Sequence, residues 1–196
     1  MFADFLPPLL LFACVTSITP GPNNLMLLAS GANFGFRRSL PHMLGISIGF
    51  TAMAALTGLG LAGLFAAWPG LHRILSAVSL AYLGWLAWRI ARAGQPGGAG
   101  RTAGPMSFAQ AAAFQWVNPK AWAMALTAVT VYAPGNTLAA ALVTAAAFGA
   151  VNLPCVSSWC LLGTRLSSLL ASPARLRAFN IAMATLLLAS AVPVLI

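Results

Sequence analysis

Two short segments hold most of the chemistry of this chain. Asn118-Pro119-Lys120 and Thr19-Pro20-Gly21-Pro22-Asn23-Asn24 each interrupt a long apolar run. Asn is a strong helix N-cap, and Pro fits the first helical position, where its missing N–H costs nothing. Asn118-Pro119 therefore reads as a helix start. In the earlier segment Thr19 or Gly21 can cap, with Pro20 or Pro22 at the first position, and Gly21 permits the turn between two prolines. A helix restarted inside a membrane points free N–H groups and a partial positive charge into the protein interior. Those donors need an acceptor, which a substrate carboxylate, backbone carbonyls or trapped water can supply.

Lys120 sharpens the inference. A cation in the first turn of a helix is opposed by the dipole. At this depth it costs roughly 2.5–3.5 kcal/mol on insertion scales. The usual remedy is an acidic partner, and the only acid in the chain is Asp4, near the outer end of the first apolar run. A buried cation without a protein counter-ion predicts that the anion arrives with the ligand. The competing reading has Lys120 snorkelling to the interface. About twelve residues precede it in its run, or about 18 Å of helix, which strains that reading. Pro20, Gly21, Pro22, Asn23, Asn24, Asn118, Pro119 and Lys120 are thus the candidate substrate-binding residues.

Other polar residues have two roles open. The amides of Asn23 and Asn24 suit a substrate or the freed backbone. Thr19, Ser30 and Asn33 suit a path or bonds to preceding carbonyls. Gln115 and Asn152 suit substrate or interhelical hydrogen bonds. Trp116 and Trp122 flank the second break. His42 reads as a polar interface residue rather than a proton carrier. Gly31/Gly35 and Gly45/Gly49 have GxxxG spacing, and Gly58, Gly60 and Gly63 follow. Close helix packing is their expected use, compatible with a homodimer and equally with contacts inside one chain.

The elements that position these residues follow from composition. Of 196 residues 60% are hydrophobic and 6% charged, and the mean hydropathy is +0.89. That excludes a water-soluble globule and a disordered chain. About 20 apolar residues span a bilayer, so six spans use about 120 and leave enough for loops. The net charge of +9 is that of nine scattered Arg and Lys120 less Asp4. No basic groove for nucleic acid results, and the arginines read as orientation signals in a lipid bilayer. No basic residue precedes Arg37, so the N-terminal run is expected to be a retained span rather than a signal peptide. Cys14, Cys155 and Cys160 form no disulfide framework. Neither a Walker A motif nor a metal-ligand cluster is present, and Ser/His/Asp catalysis would depend on Asp4. The chain is expected to be no enzyme and to carry no cofactor or metal.

Six spans are predicted, over 5–34, 41–67, 71–90, 108–132, 137–162 and 176–196. A Gly/Pro-rich linker from Ala93 to Met106 joins 1–92 to 107–196 within one polytopic domain. Arg37, Arg38, Arg89, Arg92, Arg101, Arg165, Arg175 and Arg177 fall in odd-numbered loops, against Arg73 alone in the even ones. The positive-inside rule then places the linker in the cytoplasm and both termini outside. The halves match in layout: each opens on a long broken span, and an odd number of spans gives the second half the opposite polarity. The expected fold is an all-α membrane protein of six transmembrane helices, two inverted three-helix repeats with helices one and four broken. In transporters so built, substrate sits near the midplane. The plainer alternative is six ordinary helices with two proline kinks.

The segments ITPGPNNLMLLASGANFGFRRSLPHMLGISIGF (18–50) and FQWVNPKAWAMAL (114–126) closely resemble the LysE/RhtB family of bacterial amino-acid exporters. YLGWLAWRIAR (82–92) and VNLPCVSSW (151–159) extend the resemblance over essentially the whole chain. The wording is most similar to the branch associated with cysteine and O-acetylserine export. The resemblance implies a secondary exporter of amino acids and related metabolites in the bacterial inner membrane, and in that membrane the termini placed outside by the arginines are periplasmic. It implies that Pro20, Gly21, Pro22, Asn23, Asn118, Pro119 and Lys120 are family-typical, with Gly31 and Arg37 in the flanking stretch. Two other classes compete with it: a thiol-based transmembrane redox protein, and an accessory membrane subunit without transport. The first is opposed because neither break holds a cysteine. The second is opposed because an unpaired intramembrane cation is costly without a use.

Overall fold

The computed structural model describes residues 2–61, 63, 67, 68, 70–93, 104–132, 137–190 and 192; the side chains of residues 2–4 and of His72, and most of the expected linker, lie outside that set. Among the described residues the structure is helical without strands. The first apolar run gives α1 (Phe2–Ile18) and α2 (Pro22–Phe34). After a short 3-10 turn come α3 (Leu40–Leu56), with a π-helical end at Thr57–Leu61, and α4 (Gly70–Ala91). The second half runs through α5 (Phe108–Gln115), α6 (Pro119–Thr127) with a π-helical end at Ala128–Tyr132, α7 (Leu138–Leu166) and α8 (Pro173–Ala189).

Among the described residues three helical stretches are long and apolar enough to cross a membrane: Arg37–Leu61, Arg73–Ala91 and Leu138–Leu166. A fourth is the pair α1–α2, bent by 53° at its break. α8 has 17 residues, which reach about 25 Å. Both breaks form where proline and cap chemistry place them. Gly21 is the extended N-cap of α2 with Pro22 next, and Asn118 is the extended N-cap of α6 with Pro119 next.

Two apolar clusters lie on either side of the breaks. One holds α2 and α5 together through Met26, Leu27, Ala111 and Phe114, with Met43, Leu86 and Val156 from neighbouring helices. The other holds α1 and α6 through Leu9, Ala13, Ala121 and Ala125, with Phe50 and Phe148. Each broken helix thus contributes one half to each cluster, and both breaks fall at the boundary between them. Phe148 anchors the second cluster, with its ring edge-on to Phe12 at 6.0 Å and to Phe50 at 5.1 Å.

Glycines set the closest approaches. Gly31 of α2 lies on the backbone of Cys160 in α7, and Gly163 of α7 lies on the backbone of Leu28 in α2. Gly45 and Gly49 of α3 meet Phe108, Ala111 and Ala112 of α5. These contacts are internal to the chain. Gly58 packs likewise on Ala141 of α7, whereas Gly35, Gly60 and Gly63 differ from the packing role expected of them. Gly35 ends α2 with φ +79°, a conformation that favours glycine, and its missing side chain faces open space. Gly60 (φ +117°) and Gly63 also face open space.

Candidate functional site

The carbonyl end of α1 needs partners, because the last four C=O groups of any helix have none inside it. Side chains from three other helices supply them. Asn24 of α2 donates its amide to the carbonyls of Ser17 (2.8 Å) and Thr19 (2.7 Å). Trp159 of α7 donates its indole N–H to Ile18 at 2.9 Å. Lys120 of α6 donates to the carbonyls of Thr19 (2.8 Å) and Pro20 (3.2 Å) and to Thr19 Oγ1 (2.9 Å). The second break therefore reaches into the first. The lysine stem lies across Gly21, where an added Cβ would stand 2.7 Å from Lys120 Cδ.

This arrangement revises one expectation. The ammonium is not bare: the partial negative charge at the end of α1 and three oxygens stand in for a carboxylate. Dipoles of this kind offset part of a full charge and leave it available to an anion.

Asn24→Ala should therefore destabilise the fold by about 1–3 kcal/mol, since the Ser17 carbonyl loses its amide donor and the Thr19 carbonyl keeps only Lys120. Thermal unfolding of the purified protein checks this; an unchanged midpoint would mean that water replaces the amide.

The second break is capped differently. Asn118 accepts from the backbone N–H of Lys120 at 3.1 Å. Trp122 donates to the carbonyl of Trp116 at 2.8 Å, and the two rings stand edge to face at 6.1 Å. By contrast Gly21 offers α2 no side-chain cap, so the N–H groups of Asn23 and Asn24 receive no side-chain acceptor. The Asn23 and Gln115 amides pair reciprocally at 2.8 and 3.1 Å, joining the two breaks a second time.

These groups surround a narrow cleft of about 330 Å³, the solvent at its mouth included. Of the eight candidate residues Gly21, Pro22, Asn23, Asn24, Asn118 and Lys120 line it. Pro20 takes part through its carbonyl, and Pro119 acts as the first residue of α6 rather than as lining. Asn152 of α7 also lines the cleft; its amide N–H reaches Ser17 Oγ at 3.2 Å, and its oxygen is buried without a partner. Beside Ser17, Ala121 and Val156, the walls also include Thr16, Phe50 and Met124. Nothing in the sequence marks these three, because α1, α3 and α6 bring them together only through packing. A negative group entering the cleft would meet an uncapped helix N-terminus and an ammonium. A positive or donor group would meet the Asn152 oxygen.

The LysE type translocator family matches residues 14–196 of the chain. Cysteine/O-acetylserine efflux proteins of Escherichia coli (strain K12), Shigella sonnei (strain Ss046) and Shigella flexneri are each 34% identical over 128 residues. The match covers 65% of this chain and 65% of each relative, so it spans a little under two thirds of their length. No solved structure matches the chain.

Proposed function

The chain belongs to the LysE type translocator family, and from that premise we propose that it exports amino acids or close derivatives across the bacterial inner membrane. Cysteine and O-acetylserine are the substrates to test first, given what the relatives export. The observation that carries the reading is the meeting of the two breaks around one cleft, with Lys120 spanning them. In this reading the cargo carboxylate lies between the Lys120 ammonium and the uncapped N–H groups of α2, where dipole and charge act in the same sense. The cargo ammonium donates to the Asn152 oxygen.

The same geometry suggests how binding drives transport. Without cargo, Lys120 clasps the end of α1 and ties the two breaks together. A carboxylate competes for the ammonium with the carbonyls of Thr19 and Pro20 and loosens that clasp. The halves are then free to rock about the cleft in alternating access. The topology proposed is six spans in two inverted repeats, 1–92 and 107–196, with a cytoplasmic linker and periplasmic termini. Helix pairing supports it: α3 packs on α7 and α4 on α8, while α1 packs on α7 as α5 packs on α3. An exchange of halves maps this set of pairings onto itself. The extensive α2–α7 contact has only a slight counterpart in α6–α3, as expected of a carrier held in one of its two states.

Efflux from vesicles over a panel of amino acids, with and without a proton gradient, tests the reading. Cysteine or O-acetylserine should move faster than in vesicles lacking the protein. Failure to move any solute would favour an accessory subunit. Replacing Cys14, Cys155 and Cys160 together with Ser should keep efflux within about threefold of the original, since no thiol lines the cleft; on a relative scale that is below the tenfold that 1.4 kcal/mol represents. Complete loss of activity in a folded triple variant would favour the redox alternative.

A further inference from the structure

A second cavity, of about 450 Å³ with the solvent at its open mouth included, runs along α2 beyond the breaks. Met26, Ser30 and Asn33 of α2 line it at helical spacing, facing His42 of α3 and Leu86 and Arg89 of α4. Ser30 and Asn33 lie seven to ten residues beyond Asn23, which places the cavity about 10–15 Å from the cleft. Arg89 lines it, and the Arg38 guanidinium lies 5.6 Å from the ring of Phe34, another lining residue, which makes this the basic side of the chain.

Most polar groups here are already matched. Ser30 Oγ and Ser39 Oγ share a hydrogen bond of 2.7 Å. The amides of Asn33 and Asn180 pair reciprocally at 2.7 and 3.0 Å, and Asn180 also donates to the Ala93 carbonyl at 2.9 Å. His42 is the exception: it is 2% exposed, and neither ring nitrogen has a hydrogen-bond partner. A neutral imidazole carries one donor and one acceptor, and leaving both unmade in the interior is unfavourable. A packed core would have an apolar residue here. Arg89 gives one N–H to the Gly104 carbonyl at 3.2 Å, with its guanidinium over the Trp85 ring at 4.9 Å. That stacking holds the planar fork in place, and such a fork suits a carboxylate.

We propose that this cavity is a second binding site, taking a small organic carboxylate whose acid group meets Arg89 and whose own polar group meets His42. The proposal rests on the export reading: the site holds cargo on the basic side before it reaches the cleft. Met26 and Leu86 cover the apolar stem. The matched amide pair Asn33–Asn180 forms a wall that does not compete for the ligand.

Equilibrium binding of radiolabelled O-acetylserine to the full-length protein in lipid nanodiscs tests the site. Two equivalents should bind per chain. His42→Leu and Arg89→Gln should each weaken one of them about tenfold or more and leave the Lys120-dependent one, which also shows that the variants are folded. Lys120→Met should remove the other equivalent and spare this one. The proposal is overturned if the original protein binds no ligand or one equivalent that only Lys120→Met removes. It is equally overturned if His42→Leu and Arg89→Gln both bind as the original does. Binding that is sensitive to His42 and Arg89, in a protein whose transport ignores Lys120, would keep this site and count against the cleft.

Discussion

Lys120→Met should reduce efflux roughly a hundredfold or more in protein that is correctly inserted. Methionine keeps the length and flexibility of the stem that lies across Gly21, so the break keeps its shape while the charge is lost. The cargo carboxylate then loses its only side-chain cation, since no other Lys or Arg among the described residues lines the cleft. Losing one partner of a close, desolvated charge pair costs about 2–5 kcal/mol, which is tens to thousands of fold in affinity. The carbonyls of Thr19 and Pro20 also lose a donor, while the Asn23–Gln115 pair still joins the breaks. Lys120→Arg should retain part of the activity, because charge persists while the bulkier fork fits the Gly21 contact poorly. Efflux and nanodisc binding measured on the same preparations separate lost affinity from lost insertion. Near-normal efflux from Lys120→Met would remove both the clasp and the charge from the mechanism.

Gly31→Ala should be among the most damaging single methyl additions available to the fold, and Gly163→Ala its equal. Each new Cβ would overlap a backbone carbonyl, Cys160 for the first and Leu28 for the second. Side chains can rotate away from a clash, whereas a helical carbonyl moves only with its helix. α2 and α7 must therefore separate along the most extensive helix contact in the structure. Overpacking costs typically about 1–3 kcal/mol where neighbours can adjust, and the upper end or beyond is expected here. The double variant should cost less than twice either single one, because the first separation already makes room for the second methyl. Gly84→Ala is the control: nothing lies within 4 Å of its Cβ position in α4, so stability should hold or rise by about 0.5–1 kcal/mol. Thermal unfolding in detergent reads all four variants. A Gly31→Ala protein that unfolds with the original would mean that the two helices do not meet this closely.

Local chemistry makes both breaks legible in the sequence. Asn118-Pro119 announces a helix start by itself, because an N-cap and a proline at the first position act within four residues. Gly21-Pro22 resolves the same way, with Gly21 rather than Thr19 as the cap. Gly45 and Gly49 are readable as a packing face, because a stripe of small residues has one plain use in an apolar helix. Gly35 misleads for the same reason: spacing alone does not distinguish a packing glycine from one that ends a helix with positive φ. His42 reads as a polar residue at an interface and is instead buried, since burial depends on α2 and α4 closing over it.

An apolar character suited to a membrane, interruptions in the first and fourth runs, and a lone lysine at one interruption are all written in the order of residues. Hydropathy, capping and proline geometry are properties of neighbours in the chain, so a linear reading reaches them. What Lys120 touches is settled by packing alone, because Thr19 and Pro20 lie a hundred residues away along the chain. The crossing of α2 on α7 and the two apolar clusters bring the breaks side by side. That crossing fixes which carbonyls stand near 3 Å from the ammonium, and it leaves Asn152 on the wall of the cleft with its oxygen buried and unpartnered.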